Sequence, residues 1–255
     1  MQTYRLMALI GLLLPTVGGI AQGRTVTEKA KVVDAFGTAK RRLSDNVPWQ
    51  NINAGDLLTT QTTVQTGDNS AVLLQLPDRH VFRIGAGSTV QLKQLGKDKQ
   101  FSFSVLSGHI WSFVRSAEKP AKYEIETPSA VIGVSGTVFS VSHDPDSADT
   151  EVGTDRGEVK VSAEGATQIV ATGNTLRAHR GTALSRAVVQ TPAQHRVWRA
   201  LHARETWIGG GNAGAGRLDR RTEQTYVPFG RLSPHNARPP RTRQIQRSVR
   251  SRRPV

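Results

Sequence analysis

The chain has 255 residues, a formal charge of +14 and no cysteine, which excludes a disulfide framework, Cys-ligated zinc, iron–sulfur clusters and thiol catalysis. The charge is segregated: residues 191–255 carry 14 Arg, no Lys and three acids, a net +11, whereas the first 190 residues carry a net +3. The basicity is therefore a property of a tail, and it gives no reason to assign the rest of the chain to nucleic acid.

The N-terminus reads as an export signal. Arg5 precedes an apolar run over residues 6–14 that continues through Val17 to Ile20, and Gly19 and Ala21 fit the −3 and −1 positions of a cleavage site. A signal peptide over 1–21, cleaved near Ala21, predicts a periplasmic or secreted protein. The run is about 15 residues long against the roughly 20 that a spanning helix needs; an uncleaved anchor is the alternative. No other stretch of the sequence is apolar enough to cross a bilayer.

Residues 30–186 read as an all-β domain, an irregular β-sandwich or solenoid. Phe101-Ser102-Phe103-Ser104-Val105 and Glu158-Val159-Lys160-Val161-Ser162 alternate with period 2, as a sheet with one buried face requires. Val72, Leu74 and Leu76 share one face of a third strand. Turn residues recur at Gly55, Gly67, Asp78, Gly87, Gly96 and Gly108, and again at Pro128, Gly157, Gly165 and Gly173, a spacing of roughly 8–12 residues. No helical period of useful length interrupts them.

One amphipathic helix is expected over 191–208. Thr191 caps it, Pro192 suits the first helical position and Gln194 completes a capping box; Ala193, Val197, Ala200 and Leu201 form one face, and Trp198 and Trp207 are placed to pin it to the sheets. From Gly209 the chain is first Gly-rich and then rich in Arg and Pro, with too little apolar surface to offset the entropy of ordering, so 209–255 is expected to be disordered.

No catalytic constellation stands out. His80, His109 and His143 fall on different strands or turns without ligand spacing. Ser135, in Gly133-Val134-Ser135-Gly136-Thr137, lacks both the Gly-x-Ser-x-Gly spacing and the strand-to-helix turn that exposes a nucleophile. Asp144, Asp146 and Asp149 cluster in one turn and are the residues that would ligate a hard cation such as calcium. The EF-hand order is missing, however, and Asp with Pro145 is ordinary turn chemistry, so a solvated hairpin is the expectation. Trp49 and Trp111 are expected in the core rather than as a sugar-stacking platform. No cofactor is expected. The Arg-rich tail suits anionic polysaccharide or lipid; its last 25 residues contain no aromatic for base stacking, which argues against nucleic acid.

A series of short words between Asn53 and Ser162 resembles the FecR domain family: Ala54-Gly55-Asp56, Val64-Gln65-Thr66-Gly67, Ser70-Ala71-Val72-Leu73-Leu74-Gln75-Leu76, Ser88-Thr89-Val90-Gln91-Leu92 and Leu106-Ser107-Gly108-His109-Ile110-Trp111. Tyr123-Glu124-Ile125-Glu126-Thr127-Pro128, the stretch ending Gly136-Thr137-Val138-Phe139-Ser140-Val141, and Gly157-Glu158-Val159-Lys160-Val161 complete it. The resemblance implies a non-enzymatic, extracytoplasmic all-β domain. In full-length members it implies signalling from an outer-membrane receptor to an anti-sigma segment. This sequence departs at Asp78-Arg79-His80, where the family's turn is Asp-Gly-Ser-like, and at Ser135, where Arg is frequent. With only about 20 residues before the β region, the expectation is the domain without the sigma-binding segment. It would act as a binding or interaction module for an envelope protein, with envelope tethering through the Arg-rich tail as the alternative.

Overall fold

The computed structural model describes residues 28–96, 100–113, 122–192 and 194–195. The expected signal peptide, the tail 209–255 and all but the first residues of the expected helix lie outside them. The described part is built of strands. β1 (Ala30–Phe36), β2 (Ala39–Arg42), β3 (Gln50–Asn51), β4 (Leu57–Leu58), β5 (Thr63–Thr66), β6 (Ala71–Gln75), β7 (Val81–Ile84) and β8 (Thr89–Leu95) precede the long β9 (Gln100–Phe113). After it come β10 (Lys122–Glu126), β11 (Val131–Val134), β12 (Val138–Asp144), β13 (Asp149–Arg156), β14 (Glu158–Ala163), β15 (Ala166–Ala171), β16 (Asn174–His179) and β17 (Val188–Val189). The all-β reading is therefore correct.

The ladders connect into one 17-stranded sheet, which β9 folds into two layers. Residues 100–107 of β9 pair with β8 and β10, whereas residues 108–113 pair with β7 and β12. The first layer runs β4-β1-β6-β7-β9-β12-β13-β16-β17. The second runs β3-β2-β5-β8-β9-β10-β11-β14-β15. Every ladder is antiparallel except β9–β10, which is parallel.

Gly108 is the pivot of β9. Its φ of +79° lies in the left-handed region, and a Cβ there would stand 2.5 Å from the Ser88 Cα. Ser88 also fastens the pivot, since its Oγ accepts from His109 N at 3.0 Å. Only a residue without a side chain combines that backbone with so close an approach.

The layers face each other across one apolar core. Val72, Leu74 and Leu76 point into it, as do Phe101, Phe103 and Val105, and Val159 and Val161, all at most 2% exposed, which is the alternation legible in the sequence. Phe82 of the first layer stacks on Phe103 of the second at 4.6 Å between ring centroids. Trp49 is not a core residue. It lies just past the 43–48 loop, half-buried, with the Arg42 guanidinium 4.5 Å from its ring centre, because the strands beside it are too short to carry it under the sandwich. Trp111 is buried but outside the main core cluster.

Candidate interaction surface

The residues first suspected of chemistry are held apart in structural roles. His80, 3% exposed, sits at the β6–β7 turn, where its Nδ1 lies 2.7 Å from Asp78 Oδ2. The Tyr123 hydroxyl of β10 donates to that same carboxylate oxygen and touches the His80 ring. The cluster locks a turn of the first layer to a strand of the second. It was not visible in the sequence, because Tyr123 is 43 residues from His80. Ser135 is exposed in the β11–β12 turn. His143 Nδ1 lies 3.0 Å from the hydroxyl of Thr150, and burial with the nearby Arg180 charge lowers its pKa.

Asp144, Asp146 and Asp149 sit at the β12–β13 hairpin. Asp144 Oδ1 accepts from Asp146 N at 3.0 Å, an Asx turn, and Asp149 Oδ1 is 3.0 Å from His179 Nδ1. They border a cleft of about 520 Å³ that His109, His143 and Glu151 also line. No group of three or more His, Asp or Glu placed to hold one metal ion occurs among the described residues.

Glu151 is a buried carboxylate engaged by three donors. It is 8% exposed; its oxygens accept from Thr175 Oγ1, Gln194 Nε2 and Arg177 Nη2, each at 3.2 Å. Burial raises its pKa against the pull of those donors. His109, 2% exposed, is held neutral: burial, then the Arg83 charge, pushes its pKa well below 6.5. Its ring fills the space where Gly85 lacks a side chain.

The outer face of the second layer is polar and shaped by an absent side chain. Gly133 pairs with Lys160 on one side and Glu124 on the other, and a Cβ there would meet only the Lys160 side chain, at 4.0 Å. The result is a trough of about 860 Å³ lined by Lys122, Glu124, Glu158, Lys160 and Ile169 among others.

Ile169 belongs to β15, the feature that best fits a partner. Among the described residues, three of the four strands at the layer edges, β3, β4 and β17, have two residues; β15 has six. Its sequence, Ala166-Thr167-Gln168-Ile169-Val170-Ala171, contains no charge and no Pro, and its register with β14 is unbroken. Among the described residues no strand pairs with its other side, and the run itself carries neither the charge nor the Pro that normally blunts an edge. The two-residue turn Glu164-Gly165, with φ of +48° and +74°, makes Ala163–Ala166 the hydrogen-bonded closing pair. Thr167, Ile169 and Ala171 therefore aim their N–H and C=O groups away from β14. Thr167 and Ile169 are also exposed, Ile169 at 52%. The uncharged run was there to be read in the sequence, but its place at an edge is a tertiary fact.

Residues 62–160 match the family model described as FecR protein. Over that stretch, which is under half of the chain, the sequence is similar to a FecR domain. The match runs from β5 to the middle of β14 and so includes the β9 pivot. No curated protein matches the chain. Among solved structures, two crystal structures described as a "putative anti-sigma factor" from Parabacteroides distasonis, at 1.65 and 2.50 Å resolution, each have a TM-score of 0.46 and 15% identity. Each alignment covers 54% of this chain and 64% or 63% of the other, so the chain spans less than two thirds of those proteins.

Proposed function

We propose that this protein is an exported, non-catalytic interaction module that takes part in envelope signalling by accepting an extended segment of a protein partner on β15. The observation that carries the reading is a FecR domain beside a six-residue, uncharged, unprotected edge strand. Strand addition draws affinity from main-chain hydrogen bonds and selectivity from alternate side chains. Here three N–H and three C=O groups, at Thr167, Ile169 and Ala171, supply the first, and Ile169 supplies an apolar contact for the second. The buried histidines support a non-catalytic role, since His80 and His143 are engaged by Asp78, Tyr123 and Thr150. Export rests on the signal-like N-terminus.

The test is site-specific photocrosslinking in the full chain, expressed in its native envelope. A crosslinker at Thr167 should capture one envelope protein, and Ile169→Lys should abolish the adduct at unchanged thermal stability. An adduct that persists in Ile169→Lys would remove β15 from the reading. The segregated charge favours a second reading, in which the Arg-rich tail tethers the domain to anionic polysaccharide or lipid. Salt separates the two: capture through β15 survives 1 M salt, where the Debye length is about 3 Å, and tail binding does not.

A further inference from the structure

Five buried apolar residues do not belong to the core between the layers: Ala71, Leu73, Val81, Trp111 and Val138. Each is adjacent in its strand to a core residue (Val72, Leu74, Phe82, Ile110, Phe139), so each side chain points to the opposite, outer face of the first layer. The registers align one row across five strands and the start of a sixth: Leu73, Arg83, Trp111, Ser140, Gly153, Thr175. Along it Leu73 is 4% exposed, Arg83 3%, Trp111 2% and Ser140 6%. A sheet face with that burial is a second packing surface, not a solvated one.

The described chain ends over one end of this row. Gln190 Nε2 donates to Thr154 O and Asn174 O, both at 3.1 Å. Thr191 and Gln194 then form the two reciprocal bonds of a capping box, and Gln194 Nε2 reaches down to Glu151 on β13. A helix that starts here starts with Gln194 facing the sheet, and 60 residues follow His195.

We propose that residues 191–208 lie as a helix along this row and cover it. With Gln194 toward the sheet, the residues 3, 4, 7, 11 and 14 positions later share its face; they are Val197, Trp198, Leu201, Glu205 and Ile208. At about 1.5 Å of rise per residue and about 4.8 Å between strands, Leu201 reaches roughly 10 Å, two strands on, over Trp111. Glu205 reaches roughly 16 Å, over Arg83 on the third strand, and Ile208 roughly 21 Å, over Leu73 on the fourth. An apolar stripe interrupted by one acid thus meets an apolar row interrupted by one buried Arg. The match fixes both the direction and the length of the helix, and the Gly-rich run begins where the covered row ends. This inference concerns the layer opposite β15 and stands whether or not that strand takes a partner.

The chain has no cysteine, so introduced pairs report cleanly. In the full chain, Ser140→Cys with Val197→Cys should form an intramolecular disulfide on mild oxidation, detected by peptide mass mapping. Ser102→Cys on the outer face of the second layer, combined with the same Val197→Cys, should not. Absence of the first bond in the folded protein, or equal formation of both, overturns the proposal. Limited trypsin digestion of the unaltered chain is the independent measurement. Cleavage after Arg196, Arg199 and Arg204 should be at least about tenfold slower than after the arginines beyond 216, since only an undocked helix is cut. Leu201→Asp should erase that difference. Equal cleavage in the unaltered chain refutes the docking.

Discussion

Replacing Gly108 by Ala tests whether the fold depends on the β9 pivot. The new Cβ would lie 2.5 Å from the Ser88 Cα, against backbone that cannot swing away. It would also press on Ser88 Oγ, which accepts from His109 N. An L residue in the left-handed region costs about 1–2 kcal/mol, and forced overpacking adds about 1–3 kcal/mol. The control is Gly165→Ala, where φ is +74° but nothing lies within 4 Å of the new atom; it should cost only the first term, about 1–2 kcal/mol. Gly108→Ala should therefore lose roughly 2–5 kcal/mol, a fall in Tm of about 5–15 °C for a domain this size. Urea unfolding followed by far-UV circular dichroism measures both variants at a common m value. Equal midpoint shifts would refute the reasoning, because they would mean that the layers do not converge on Gly108 as described.

Other consequences follow from the buried titratable groups and one turn. His109 is held neutral in the fold, so its contribution is fully present above pH 6.5 and is lost as pH falls below that value, by up to about 1.4 kcal/mol per unit. The Tm should drop between pH 7.5 and 5.5, and His109→Gln should flatten that slope. Glu151 has the opposite sign: its raised pKa means that the native state keeps a proton the unfolded chain has released, so stability falls as pH rises from 4.5 through the raised value. Glu151→Gln, which preserves an acceptor for Thr175 and Gln194, should leave Tm at pH 7 unchanged or higher, given that Arg177 is 48% exposed and its ion pair is worth little. Glu151→Ala strands those donors and should cost about 1–3 kcal/mol by urea titration. Arg79 has a φ of +69°, in the left-handed region that Gly adopts most readily; Arg79→Gly should raise Tm slightly, by relief of about 1 kcal/mol of strain partly offset by Gly entropy.

Local pattern sufficed to read the described chain as all-β, sandwich or solenoid, because period-2 alternation such as Phe101, Phe103 and Val105 has one low-energy outcome in water: a sheet with that side buried. It likewise determined the capping box at Thr191 and Gln194, which is a contact of residues three apart. The similarity to FecR over residues 62–160 was legible because its short words keep order and spacing along the chain. The remaining features depend on long-range contacts. The same strand pattern is compatible with many registers. Nothing local says that β9 turns from one layer to the other at Gly108, that Tyr123 closes on Asp78 and His80, or that β15 ends up at an edge. Nor does local pattern say which face of a strand with both faces apolar, such as β6 with Ala71-Val72-Leu73-Leu74, meets the core between the layers and which points away from it. Those outcomes depend on which segments meet, and burial free energy decides them only once the layers are assembled.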